Sequence, residues 1–120
     1  MMEQAGIAVL GADMLRQGIG PDLASALAAL ARSTDGAYVH IDLDVLDPNE
    51  APANVYQKPG GLTVTQLDEL LDFIGAHVPV RAAAFTAYDP AYDPLGRTSA
   101  AAQRLRRRLV ANAAARAPRI

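Results

Sequence analysis

The chain has 120 residues, 51% hydrophobic and 20% charged, with no cysteine and no tryptophan. That length suits one compact domain, and the apolar fraction excludes a disordered tail. With 11 basic and 13 acidic residues the formal net charge is −2, so a whole-protein basic field for nucleic acid is absent; the lack of cysteine excludes a disulfide scaffold, a thiolate zinc site and a thiol nucleophile.

No apolar run approaches the roughly 18 residues needed to cross a bilayer, and Met1-Met2-Glu3-Gln4 carries no basic leader. The expectation is a cytoplasmic protein with no membrane and no nucleic-acid partner. Charge is unevenly placed: every acid lies at or before Asp93, and seven of the 11 basic residues lie from Arg97 onward. A solvated face on a terminal helix explains that run, and no aromatic residue beyond Tyr92 offers a base-stacking platform.

In chain order, Ile7-Ala8-Val9-Leu10 ends at Gly11 and reads as a short buried strand over 6–10. After the break Gly18-Ile19-Gly20-Pro21, Leu23, Leu27 and Leu30 recur at helical spacing, predicting a helix over 22–32. A second strand follows from Ala37 to Val45. Side chains alternate along a strand, which puts Val39, Ile41, Leu43 and Val45 on one face and His40, Asp42 and Asp44 on the other. Asp47-Pro48-Asn49 stops it, and an irregular loop runs to Gly60-Gly61.

Thr63 with Gln66 forms a capping-box pattern, and Leu62 with Leu67 a hydrophobic staple, so a helix over 63–76 should start there. Its buried stripe is Leu67, Leu70, Leu71 and Ile74. Val80 to Tyr88 reads as a third strand with the small residues Ala82, Ala84 and Thr86 inside. A last helix, capped by Thr98 or Ser99, should run over 98–115 and bury Leu105, Leu109 and Ala113. Strands alternating with helices predict an α/β fold: a parallel sheet with flanking helices. Three strands with open edges suggest a chain that associates with a further copy or with other strands.

The chemistry concentrates in Asp42-Leu43-Asp44. Two carboxylates on one side of a strand repel unless a cation lies between them. Hard oxygen donors suit Mg²⁺ or Mn²⁺, and the carboxyl end of a parallel strand is where ligands bind in open α/β sheets. Surface or capping carboxylates are the plain alternative.

The longer string Asp42-Leu43-Asp44-Val45-Leu46-Asp47-Pro48, followed by Pro59-Gly60-Gly61-Leu62-Thr63, resembles the ureohydrolase family of arginases and agmatinases. Asp89-Pro90-Ala91-Tyr92-Asp93 with Gly96 and Thr98, and Leu10-Gly11-Ala12-Asp13, resemble further segments of that family. The resemblance implies the C-terminal half of a three-layer α/β/α fold, with residues 1–120 a single partial domain. It implies that Asp42 and Asp44 match two ligands of a binuclear Mn²⁺ centre, where the metal pair activates a water against a guanidinium or amidine carbon of a small-molecule substrate. Asp47 and Pro48 match a structural turn, and Gly60 and Gly61 a turn where a missing Cβ matters.

The departures are specific. The family's Gly-Gly-Asp-His and Asp-Ala-His-x-Asp metal segments have no counterpart here, and the only histidines are His40 and His77. Ala87 stands where the family has a guanidinium-binding Glu, and Ala53-Asn54-Val55-Tyr56 replaces a Gly-Thr-Gly-Thr-like loop. His40 occupies a place that is usually small and hydroxylated; it reads as a satisfied buried histidine, with a ligand role the alternative. The expectation is therefore an incomplete metal-dependent C–N hydrolase without activity as this chain, or a non-catalytic α/β module that binds a divalent ion weakly. A haloacid-dehalogenase-type phosphatase also begins with Asp-x-Asp, but Val45-Leu46 and the lone Lys58 do not fit one.

Overall fold

A computed structural model describes residues 3–117. The main elements are α1 (Ala12–Arg16), α2 (Pro21–Ser33), β1 (Ala37–Asp42), α3 (Val64–His77), β2 (Val80–Thr86) and α4 (Arg97–Arg116), with single-turn 3-10 segments between them. β1 and β2 pair in parallel, in a register that sets His40 beside Ala84 and Asp42 beside Thr86. Helix α3 makes the crossover between them, as a parallel connection requires. No helix among the described residues is long and apolar enough to cross a membrane.

The sheet has two strands rather than the expected three. Residues 7–10 run without strand pairing, and Ile7 and Val9 are each more than half exposed. Apolar, β-prone side chains do not suffice for a strand: its backbone N–H and C=O groups need a neighbouring ladder, and none lies beside this segment among the described residues.

The core sits on one face of the sheet. Ile41, Leu43 and Leu46 pack there with Leu62, Leu67 and Leu71 of the α3 region and Leu105 and Leu109 of α4. Val39, Val80 and Phe85 close against the same cluster. The inward side of β2 is therefore the Phe85 side, the reverse of the expected small-residue face. Ala82 is exposed, and the opposite side of the sheet presents Tyr38, His40, Asp42 and Thr86. A smaller cluster joins Leu23 and Leu27 of α2 to Val78, with Leu70, Phe73 and Ile74 of α3. Leu30 stays exposed, as does Ala113, although the end of α4 still touches α3 through Asn112 and Arg116, which donate to the Leu71 and Gly75 carbonyls.

The helix starts differ in instructive ways. At α3 the capping box is complete: the Gln66 N–H donates to Thr63 Oγ1, and the Thr63 N–H donates to Gln66 Oε1. Helix α4 instead begins after Gly96, whose φ of 68° suits glycine. The expected caps Thr98 and Ser99 already lie in its first turn. Their N–H groups donate to the Asp93 carboxylate, at 3.2 and 3.0 Å, and the Thr98 hydroxyl donates to the Pro52 carbonyl.

Candidate functional site

The segment after β1 decides where the two predicted carboxylates go. The strand ends at Asp42, and Leu43–Val45 form a single 3-10 turn. Leu43 stays on the inward side of the chain with Ile41 and is 2% exposed, but the 3-10 turn takes Asp44 off the strand. Asp42 therefore points out from the carboxyl end of β1, while Asp44 projects from the turn that follows.

Both carboxylates are nonetheless tied to the same step of the neighbouring strand. Thr86, at the end of β2, donates its hydroxyl to Asp42 Oδ1. Asn54 Nδ2 donates to Asp44 Oδ2 at 3.3 Å and to the Ala87 carbonyl at 2.7 Å. Ala87 has φ 62°, the left-handed region that a non-glycine residue enters at a cost of about 1–2 kcal/mol. That conformation ends β2 two residues before the expected boundary and presents the carbonyl to Asn54. Asn54 is itself braced by the Tyr56 N–H on its Oδ1 at 2.8 Å.

His40 is not buried. Its side chain is 52% exposed on the open sheet face, with Nε2 3.0 Å from Asp42 Oδ1 and 2.8 Å from Thr86 Oγ1. The expectation of a satisfied buried histidine fails because the helices cover the other face. The Thr86 hydroxyl first, and then His40, hold the Asp42 carboxyl below the usual carboxylate range. Beside this polar cluster, His40 and Asp42 border an apolar hollow of about 330 Å³ lined by Val39, Leu62, Leu67 and Leu71.

The loop from 46 to 61 is held as a rigid support. Asp47 accepts from the Asn49 N–H at 2.9 Å and the Gly60 N–H at 3.1 Å, the structural turn expected of it. Gln57 donates to the carbonyls of Leu46 and Ala51 and accepts from the Ala53 N–H. A Cβ on Gly61 would lie 2.5 Å from the Val45 carbonyl oxygen, so the Leu46–Leu62 bridge needs glycine there.

Sequence reasoning proposed Asp42 and Asp44 but missed Thr86 and Asn54 as their hydrogen-bond partners, and Gln57 as the brace of the loop that follows. Thr86 had one available signal: it falls near the end of a strand, as Asp42 does. Asn54 had none, since Asp44 and Ala87 lie 10 and 33 residues from it, and the longest reach of Gln57, to Leu46, is 11 residues. Among the described residues, no group of three or more His, Cys, Asp or Glu side chains comes together to hold a metal ion.

With that geometry in place, the relatives are informative. The sequence model of the arginase family matches residues 1–111. The chain belongs to the arginase family. Formimidoylglutamase of Bacillus subtilis (strain 168) is 33% identical over 91 residues, covering 75% of this chain and 28% of that protein. Arginase of Bacillus caldovelox is 29% identical over 87 residues, covering 72% of this chain and 29% of that protein. The solved structure of the Bacillus subtilis formimidoylglutamase superposes with a TM-score of 0.81 at 27% identity, over 92% of this chain and 35% of that chain. This chain thus spans under a third of the length of those two curated relatives, and its α/β arrangement is that of the ureohydrolases.

Proposed function

We propose that this chain carries the two-carboxylate portion of a ureohydrolase metal site, serving hydrolysis of a C–N bond in a guanidino- or amidino-type small molecule. We place it in the cytoplasm and read residues 1–120 as a single partial domain. One observation carries the reading: at the carboxyl end of a parallel strand pair, Asp42 accepts from Thr86, and Asp44 is linked through Asn54 to the next residue's carbonyl, at Ala87. Ligand sites of open α/β sheets lie at that end.

The donor set fits part of the shell of Mn²⁺ or Mg²⁺, since both are hard cations that take carboxylate oxygens. A divalent ion bound there would supply Lewis acidity and a water of lowered pKa. The chain's own residues orient the donors: Thr86 and His40 fix the Asp42 carboxyl group, and Asn54 fixes that of Asp44. At position 87 a methyl group stands where a guanidinium would need a carboxylate partner. The substrate therefore need not carry a guanidino group, and a formimidoyl compound, of the kind named in the Bacillus subtilis relative, suits the same site.

Two protein ligands are too few for a tight binuclear centre. The 120-residue chain accordingly binds Mn²⁺ weakly and turns over neither arginine nor agmatine unless further ligands are supplied. A non-catalytic module with weak divalent binding is the second reading, and it rests on that same donor count. Calorimetric titration with Mn²⁺ should give one low-affinity site that Asp44→Ala abolishes, with urea release at background. Stoichiometric tight binding of two ions, or agmatine hydrolysis by the chain alone, would overturn the incomplete-site reading. The open strand edges further imply a homo-oligomer or association with other strands of the fold.

A further inference from the structure

We propose that two copies of this chain exchange their N-terminal arms: residues 7–9 of each pair with the free edge of β1 in the other, and Ile7 and Val9 seat in the apolar hollow beneath that edge. This deepens the association stated above and does not depend on the metal reading. The position of the hollow carries the argument. Its lining includes Val39 and Ile41 from the inward face of β1 and His40 and Asp42 from the open face, but no residue of β2. It therefore runs along the edge of β1 that has no paired strand among the described residues, with Leu67 and Ile74 of α3 as its other wall. Such an edge offers main-chain donors and acceptors to an incoming strand, and an apolar recess beneath it takes the strand's alternate side chains.

The arm has the side chains that the recess lacks. Ile7 and Val9 are 53% and 54% exposed and have no strand beside them among the described residues. Both are β-branched and strand-prone. Two positions apart, they project to one side of an extended chain, about 7 Å from each other. The hollow has a volume of about 330 Å³, roughly twice the 150 Å³ apolar cavity that a benzene ring fills, so it has room for two aliphatic side chains. Leu10 stays on its own chain, against the cluster of Leu23 and Leu27, and Gly6 and Gly11 bracket the arm. Reciprocal exchange fills both hollows and leaves no free arm, which closes the assembly at two copies.

The chain has no cysteine, so introduced thiols report the contact. A Val9→Cys chain mixed with a Val39→Cys chain under a mild oxidant should form a mixed disulfide. Each chain then carries one thiol, so that link joins two copies. Val45→Cys, at a more accessible point of the same wall, replaces Val39→Cys if the latter folds poorly. Val110→Cys, exposed on α4, should give only chance cross-linking with Val9→Cys. Light scattering should give twice the mass of one chain for the parent, falling to one chain for Ile7→Lys with Val9→Lys. Adding Ile7→Lys to the Val9→Cys chain should abolish the cross-link. A monomeric parent overturns both the exchange and the association it deepens. A dimer that survives the double lysine variant, or a cross-link to the wall no stronger than the Val110→Cys control, overturns the exchange alone. A disulfide closing within one chain that carries both Val9→Cys and Val39→Cys, in place of the link between copies, would give the hollow to the chain's own arm and likewise overturn it.

Discussion

The region from β1 to α4 and the region before Pro21 have similar apolar content but opposite fates. In the first, Leu46, Leu71 and Leu105 are at most 1% exposed, and the loop between strand and helix is pinned by Gln57 and Asp47. In the second, Ile7, Val9, Met14 and Ile19 are 42–54% exposed, and only Leu10 and Leu15 reach the cores. The difference lies in partners. The core side chains of the later region, from Ile41 to Leu109, face a helix or strand, whereas residues 7–10 have no strand beside them among the described residues; Val55 and Leu95, in the loops of the later region, stay as exposed as Ile7 or more so. Hydrophobicity stabilises only where a second surface removes it from water.

That contrast can be broken most strongly at Leu105. Leu105→Ala should cost about 2–5 kcal/mol, because it opens a cavity in a packed core. Val9→Ala should cost less than about 0.5 kcal/mol, as at an exposed site without special contacts. Urea denaturation of both variants measures this, and equal losses would show that the first region is packed after all.

A smaller effect is expected at the start of α4. Burial alone would raise the Asp93 pKa, but the Ser99 and Thr98 N–H groups and the Tyr88 hydroxyl together hold it below the ordinary value. The folded state therefore binds this proton less readily than the unfolded state. The resulting stability is fully present above about pH 4 and is lost as pH falls through the lowered value. Asp93→Ala should cost about 1 kcal/mol at neutral pH, in the range of a lost helix cap. The gap between the melting curves of variant and parent should be narrower at pH 3 than at pH 7, since part of the stabilisation is lost below the ordinary value; a constant gap would refute the cap.

The mildest change concerns association. Light scattering of the purified chain should give a mass above one chain, and the pair Ile7→Lys with Val9→Lys should shift it toward the monomer with little change in unfolding midpoint. A monomeric parent, or a variant that unfolds as readily as Leu105→Ala, would show that these side chains are not an exposed associating surface.

Local signals were legible where the physics is local. The Thr63–Gln66 capping box, the Leu67 and Leu71 stripe and the outward alternation of His40 and Asp42 depend on neighbours within four residues, and the structure contains all three. The Asp47 turn and the glycine requirement at Gly61 followed from the family resemblance and have clear causes in the fold. The helix start at Gly96 was misread because its cap comes from Asp93, outside the short capping-box spacing.

By itself the sequence determined that this is an α/β chain with parallel strands, related to the ureohydrolases, and it singled out Asp42 and Asp44 as the candidate site. Only the tertiary structure decided which face of the sheet is open, that Asp44 leaves the strand, and that Thr86 holds Asp42 while Asn54, itself bonded to the Ala87 carbonyl, holds Asp44. The reason is range. Periodicity and capping are set by residues a few positions apart, whereas the open face depends on where α3 and α4 pack, and the supports of the site reach across as many as 44 positions of chain.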